Sequence, residues 1–527
     1  VAEDTASPPP NIARAAGTVM LAYLLGQLIG LAAKIIIGAS FDAGTELDAF
    51  YAANRPSETL VMILAGGILV SSFIPVFVKF LVGEDRPGAW KLASATFNLI
   101  LIIMIILALL VAVFAPPIVR YILGKDFAPA KQALTVELLR IQLPSVIFFS
   151  LSAIVVGILN GHRKFLVPAF SPAMYQLGQI FGAVVLGPGM GIYGLAWGVV
   201  IGSTLSLLIQ IPFLPRLGGR YSPTLGLHNP AVGEVFRLMA PRIFGAAAVQ
   251  AMLWVNTLLA SRYDGAVYAL TLGFMMMYMA QAAIAQSAGT AVMPTFSAQY
   301  VEGKLDELRK TLASVIRAEI LLSLPATAGL LILSTPIIVL LYQRGEFTAG
   351  TTQMVAWALT WYAAGLMFHS VLEVLVRAYY AMHDTKTPVL IGAAAMLLSI
   401  VFSLLFSALF EHLGWMPHGG LALAVSLSTA LEVTTLFLIM RRRLNGLHSR
   451  DIWRAFSAAS AGTVGMAAAL VFWQQALRSA PAALTALGGV ALGGGIYSLT
   501  LFLLRVPEIH LLFTALKRRL PLKKTPR

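Results

Sequence analysis

The chain has 527 residues, 58% hydrophobic and only 11% charged, with no cysteine and a formal net charge of +14. Soluble domains carry about 25% charged residues, so an ordinary soluble core is excluded, and without cysteine so are disulfides and thiolate metal sites. The positive balance does not point to nucleic acid, because the basic residues gather at the ends of apolar runs and in short loops.

In chain order, residues 1–11, VAEDTASPPPN, are polar and proline-rich and read as a disordered cytoplasmic tail. No secretory signal peptide is visible, so the first apolar run would act as an uncleaved anchor. Fourteen apolar helical segments follow, near 12–40, 48–80, 91–121, 132–160, 167–187, 190–212, 234–261, 266–298, 308–341, 353–381, 387–411, 420–440, 453–474 and 484–505. About 20 residues cross the hydrocarbon core of a bilayer. Lipid forces the backbone to satisfy itself, so these are helices, and the longer ones tilt or run on past the hydrocarbon. The fold class is therefore an all-α polytopic membrane protein.

Ionisable groups inside such spans are costly and mark functional sites by default. The first span holds Lys34 in LIGLAAKIIIG, for which outward snorkelling is the plainer reading. The second holds NRPSETL, where Arg55 and Glu58 stand three apart on one face and either pair or leave the arginine to an anion. Pro56 should interrupt that helix and free backbone carbonyls. The seventh holds Arg242, a second anion candidate, and Asn256. The eighth holds Gln281 and Gln286, which ordinarily bond neighbouring helices, and Met275–Met277, adaptable packing. Arg317 and Glu319 begin the ninth span, and Glu373 and Arg377 form an i,i+4 pair in the tenth. These read as structural first, with Glu373 also able to couple protons or cations. No phosphate loop, metal cluster, nucleotide fingerprint or catalytic triad is visible, which points to a transporter rather than an enzyme and to no cofactor.

An even number of spans puts both termini on one side. Loops around Lys79–Lys91, Arg163–Lys164, Arg216–Arg220, Lys304–Lys310, Lys386 and Arg441–Arg454, with the tail from Lys517, are basic. The opposite loops hold only Arg120, Lys125, Lys131, Arg262, Arg344 and Arg478, and the first of them, FDAGTELD, is acidic. Basic loops stay in the cytoplasm, so both termini are expected there. The 441–454 cluster and the tail are also expected to meet anionic lipid.

A polar knot, His383-Asp384-Thr385-Lys386-Thr387, interrupts two apolar runs, and it has a counterpart. APPIVRYILGKDFAPAKQA from Ala115 parallels STPIIVLLYQRGEFTAGTT from Ser334, and NGHRKFLVPAF parallels MHDTKTPVLIG about 35 residues later, placing Lys164 beside Lys386. The offset of about 220 residues is six helices, so the repeats share one orientation and an axis along the membrane normal. The expected organisation is an N-lobe over 12–215, a cytoplasmic linker over 216–233, a C-lobe over 234–441, and a helix pair with a basic tail over 442–527. Two such lobes would face each other across a cleft. Asp384 and Thr385 should cap the helix after the knot.

Five stretches, read together, resemble one family: DAFYAANRPSE (48–58), ILNGHRKFLVPAFSP (158–172), GTAVMPTFS (289–297), LYQRGEFTA (341–349) and RAYYAMHDTKTPV (377–389). Over roughly residues 12–505 the chain resembles the MurJ (MviN) lipid II flippase family. The wider superfamily also holds multidrug extruders and polysaccharide flippases. The resemblance implies fourteen helices in two lobes plus a terminal pair, in the bacterial cytoplasmic membrane. It implies carriage of an undecaprenyl-diphosphate-linked peptidoglycan precursor to the outer leaflet by alternating access. Membrane potential or a monovalent cation would drive it. The headgroup would enter a central cationic cavity while the lipid tail stays in the membrane, the last two helices offering it a groove. Implied partners are the polyprenyl-diphosphate glycolipid, anionic lipids and cell-envelope synthesis proteins, with a monomeric carrier and no nucleic acid.

The chain departs from the family in its arginines. Tyr23 and Ile29 flank Gly26 where the family has two, and others are missing around Leu60–Val61 and Phe274–Met275. A diphosphate needs positive neighbours, so binding would fall to Lys34, Arg55 and Arg242 with Asn256 and Gln281. Glu58, Glu373 and Arg377 would serve coupling or gating. The alternatives are another polyprenyl-linked glycan as cargo, a cation-coupled multidrug exporter, or a non-transporting scaffold.

Overall fold

A computed structural model describes residues 10–65 and 67–506 of the chain, with side chains for Ala22 and from Leu25 onward except at 65–68, 241, 242, 244, 245, 287 and 290. Among the described residues there is no strand. Among the same residues eleven helices are long and apolar enough to cross a membrane, and a bent pair makes a twelfth. Two shorter apolar helices, Leu25–Ser40 and Ala246–Ala260, fall where the sequence places the first and seventh spans.

We number the helices α1 (Pro10–Ser40), α2 (Ala43–Val82), α3 (Arg86–Val113), α4 (Pro129–Gly161), α5 (Leu166–Met190), α6 (Ile192–Arg216) and α7 (Pro230–Ala260). There follow α8 (Ala266–Gln286, running on as Ser287–Val301), α9 (Leu305–Leu341), α10 (Ala349–Ala363 and Leu366–Ala381), α11 (Lys386–His412), α12 (His418–Arg443), α13 (Ser449–Ala476) and α14 (Ala482–Leu503). The chain falls into two compact units, residues 1–267 with 344–347, and residues 268–343 with 348–527.

In the first unit α4 packs against α2, α3 and α6, and α1 lies along α5. The α5–α6 contact is close because glycines face each other. A Cβ on Gly178 would sit 2.2 Å from the Gly202 Cα, and one on Gly182 2.7 Å from the Gly198 Cα. Helices in lipid associate by such backbone approach, since lipid tails are as apolar as leucine and offer no hydrophobic drive. In the second unit α9 is central, packed by α10, α13 and α14, while α11 pairs with α12. The Tyr497 hydroxyl of α14 donates to the Leu321 carbonyl of α9 at 2.7 Å, tying the terminal pair to that helix. The α10 pair bends by 47°. At the break the Ser426 hydroxyl donates to the Trp361 carbonyl at 2.7 Å, and Gly365 leaves the room, its missing Cβ being 2.5 Å from that oxygen.

The internal repeat has a structural signature. Phe127 and Phe347 are both buried, with amides bonded to the carbonyls of Gly124 and Arg344, each at 3.1 Å. Arg163 and His383 both take a left-handed φ, +58° and +60°. The next amides, of Lys164 and Asp384, each reach back five residues, to Leu159 and Tyr379. This is one helix-capping motif used twice at an offset of 220, from Arg163 to His383. The geometry corrects the alignment made by residue type: Lys164 corresponds to Asp384, while Lys386 corresponds to Leu166, the first residue of α5.

The knot itself is tied by Asp384 alone. Its carboxyl accepts from the Lys386 amide (3.1 Å), the Thr387 amide (3.0 Å), the Thr387 hydroxyl (2.7 Å) and Arg443 at the end of α12. Thr385 makes no side-chain cap, contrary to expectation. Partial burial pushes the Asp384 carboxyl up, but the Thr387 bonds and the Arg443 charge outweigh it and bring its pKa down to about 2. Pro56 does not interrupt its helix, which runs on from Asp48 to Leu60, and the widened turn comes after it, at Val61–Ala65. The Pro ring costs one hydrogen bond, and packing of that stretch against α4 holds the helix through it.

Candidate substrate site

Two of the predicted cations stand in the first unit on neighbouring helices. Lys34 on α1 is buried, 8% exposed, so it does not snorkel. Its Nζ donates to the Gln179 Oε1 of α5 at 3.4 Å and lies 5.6 Å from the centre of the Tyr51 ring on α2. Gln179 in turn donates from Nε2 to the Tyr175 hydroxyl at 3.0 Å. One helical turn beyond Tyr51, Arg55 is held from two sides. Its Nε donates to the Thr257 hydroxyl of α7 at 3.2 Å, and its Nη1 donates to the Glu58 carboxyl at 3.0 Å. Asn54 holds the other Glu58 oxygen at 2.8 Å, so the arginine and acid pair as the spacing allowed.

The network continues along α2 and α7. Thr59 accepts from the Trp254 indole at 2.7 Å, and its own hydroxyl lies 3.0 Å from Gln250 Oε1 and 2.8 Å from the Arg55 carbonyl. Asn256, buried next to Thr257, belongs to the same stretch of α7. The side chain of Arg242 lies outside the described residues, as does that of Tyr23. The sequence found Lys34 and Arg55 because a charge in a span stands out. It missed Gln179, Thr59, Gln250, Trp254 and Thr257, which are uncharged and become partners only through packing.

The remaining predicted residues belong to the second unit. Gln281, 7% exposed, donates to the His369 carbonyl of α10 at 3.3 Å. Glu373 and Arg377 pair at 2.7 Å, and Arg377 also donates to the Gln286 carbonyl at 3.1 Å. Arg317 and Glu319 lie within α9, whose helix starts earlier, at Leu305, and Glu319 is 1% exposed. One carboxyl oxygen of Glu319 and one of Glu432 on α12 are buried without a hydrogen-bond partner in the protein. The sequence did not single out Glu432.

A further ion cluster was also not expected. Lys131, read as an ordinary basic loop residue, is buried at the start of α4. It bonds Asp48 and Asp264, each at 3.0 Å, and the Gly44 carbonyl. Asp48 also accepts from the Gly265 amide at 2.7 Å. Every partner is a short-loop or helix-end group, so the cluster pins the ends of α2, α4 and α7. Among the described residues no group of three His, Cys, Asp or Glu could hold a metal ion.

The chain can now be set against known proteins. A family described as "Lipid II flippase MurJ" matches residues 37–486. A Burkholderia cenocepacia protein named "Lipid II flippase MurJ" is 30% identical over 475 residues, 88% of this chain and 90% of the relative. A Vibrio cholerae protein named "Probable lipid II flippase MurJ" is 29% identical over 504 residues, 92% of this chain and 94% of the relative. Among solved structures, one titled "Lipid II flippase MurJ, inward closed conformation" aligns with TM-score 0.78 at 24% identity, covering 92% of this chain and 97% of its own. An inward-facing multidrug resistance MATE transporter aligns with TM-score 0.67 at 16% identity, covering 80% and 96%. These two structures establish the shared fold. With a match over most of its length, the chain belongs to the lipid II flippase MurJ family.

Proposed function

We infer that the protein is a flippase that moves lipid II, the polyprenyl-diphosphate-linked peptidoglycan precursor, across the membrane by alternating access. The observation that carries this is the family match over residues 37–486, which takes in Arg55 and its partners Glu58 and Thr257, while Lys34 stands just before it. In the proposed mechanism Lys34 and Arg55 meet the diphosphate. Arg55 is pre-positioned by Thr257 and Glu58, so little side-chain freedom is lost when an anion replaces part of the Glu58 pairing. Gln179 and Asn256 complete the polar surroundings, Gln281 of the second unit is a further proposed substrate contact, and Glu58, Glu373 and Arg377 serve coupling or gating. The proposed lobes span 12–215 and 234–441, joined by 216–233, with 442–527 as the appended pair and tail. The proposed setting is the bacterial cytoplasmic membrane with both termini inside, the carrier acting as a monomer driven by membrane potential or a monovalent cation.

The test is translocation of labelled lipid II in proteoliposomes. Arg55→Ala and Lys34→Ala should each slow it, and the double variant should reduce it to the level of empty vesicles while keeping its thermal unfolding midpoint. Full transport by the folded double variant would remove these residues from the site. No transport of lipid II by the unaltered chain, with transport of another polyprenyl-linked glycan, would reassign the cargo. A second reading, a cation-coupled exporter, is favoured by the buried Glu432 carboxyl, which lies against Gly392 of α11 with one oxygen unpartnered. Drug efflux driven by a cation gradient and lost in Glu432→Gln, with no glycolipid transport, would select it.

A further inference from the structure

A cavity of about 230 Å³ in the second unit lies where α9, α13 and the end of α14 meet. Its walls carry Arg317, Arg454 and Arg505 against one acid, Asp451, and are otherwise apolar, with Leu504, Val506 and two alanines. Asp451 pairs with Arg454 at 3.9 Å. Nothing in the flippase reading uses the cavity, and none of its arginines belongs to the Lys34–Arg55 network.

The end of α14 presents Arg505 at a conformational cost. The Arg505 amide bonds the Phe502 carbonyl at 3.0 Å and the Val506 amide the Leu501 carbonyl at 3.1 Å, a helix stop that requires a left-handed residue at 505. Glycine is the ordinary occupant, yet an arginine stands there with φ +52°. The same left-handed stop is built on Arg163 and His383, so the conformation fixes where the Arg505 side chain leaves the helix end. Beside the cavity, Trp453 is 68% exposed and stacks on Phe456 at 5.3 Å, as an aromatic at a membrane–water boundary does. Leu503 and Leu504, at the end of α14, are exposed. Arginines that can bind a phosphate through paired N–H groups thus share one cavity with apolar side chains suited to the start of acyl chains.

We propose that this cavity is a binding site for the phosphodiester headgroup of an anionic phospholipid, on the side of the membrane where the basic loops lie. Arg454 and Arg505 hold the phosphate, Arg317 adds charge from α9, and Leu504 and Val506 receive the start of the acyl chains. The occupant would bridge α9 to the terminal helix pair and is distinct from the transported glycolipid.

The test uses the full chain in an uncharged detergent. Short-chain phosphatidylglycerol, phosphatidylcholine and inorganic phosphate are titrated separately, with the unfolding midpoint and bound lipid (by native mass spectrometry) as readouts. Phosphatidylglycerol should bind and raise the midpoint where the other two do not. Arg454→Ala and Arg505→Gly should each weaken it about fivefold, the effect of one cation near a lipid phosphate. Arg505→Gly keeps the helix stop, so its lipid-free midpoint should equal or exceed that of the unaltered chain, which separates lost binding from lost folding. The basic tail is common to all variants, so differences among them report on the cavity. Unchanged phosphatidylglycerol binding in both variants would overturn the site. An equal midpoint shift with inorganic phosphate alone would overturn the lipid assignment.

Discussion

Arg55 and Asp384 show what single side chains contribute. Arg55 spans two helices with a planar fork, one nitrogen on Thr257 and another on Glu58. Lysine would keep the charge and lose that two-point orientation. Arg55→Ala should therefore lower lipid II translocation by about tenfold, one charge-assisted contact, and Arg55→Lys should recover only part of it. Asp384 acts on stability. Its pKa of about 2 lies below the ordinary carboxyl value, so the ionised form favours the folded knot. That contribution is complete above about pH 4 and fades as the pH falls through the folded value. Asp384→Ala should cost about 1 kcal/mol near neutrality, as loss of a helix cap does. The gap between variant and unaltered chain in thermal unfolding should hold from neutrality to about pH 4 and narrow from there toward about pH 2. A gap independent of pH would mean that the charge is not what ties the knot.

At the scale of elements, helix contacts are set by small residues and by hydroxyls that recover backbone bonds. Gly178 faces Gly202 at a distance no side chain fits. Gly178→Leu should separate α5 from α6 and lower stability by about 3 kcal/mol or more, since overpacking a close contact forces the backbone apart. A lowered unfolding midpoint in detergent is the readout. Because Lys34 and Gln179 lie on helices adjoining this contact, transport should fall with it. Tyr497→Phe removes one bond between α14 and α9 and should cost only about 1 kcal/mol, leaving translocation measurable. The 47° bend in α10 is a similar case: Gly365 gives room and Ser426 takes the freed carbonyl.

At the scale of the whole molecule, the arrangement of loops predicts orientation, and the absence of cysteine makes it directly testable. Single cysteines introduced at Lys304, between α8 and α9, and at Gly189, in the last turn of α5, stand on opposite expected sides. Gly189 has open space around its Cβ position, and Lys304 is exposed. A membrane-impermeant thiol reagent added to intact cells should label Gly189→Cys and leave Lys304→Cys unlabelled until the membrane is opened. The reverse pattern would invert the proposed topology.

The all-α polytopic class, the places of most spans, the repeat and the family resemblance were legible in the sequence, whereas of the fourteen expected spans eleven or, with the bent pair, twelve are long and apolar enough to cross a membrane among the described residues. Each depends on local information: an apolar run long enough to cross a bilayer, or a motif of contiguous residues. Lys34 and Arg55 were legible for the same reason, a charge being conspicuous among apolar neighbours. The partners were not. Thr257 lies 202 positions from Arg55 and Gln179 lies 145 from Lys34, and no local pattern marks an uncharged side chain that distant packing will supply. Nor could residue types show that Lys131 is buried between two acids, that Lys164 matches Asp384, or that Arg505 occupies a glycine's conformation. Burial, pairing and backbone strain belong to the packed chain, because each is fixed by what other helices bring to the same place.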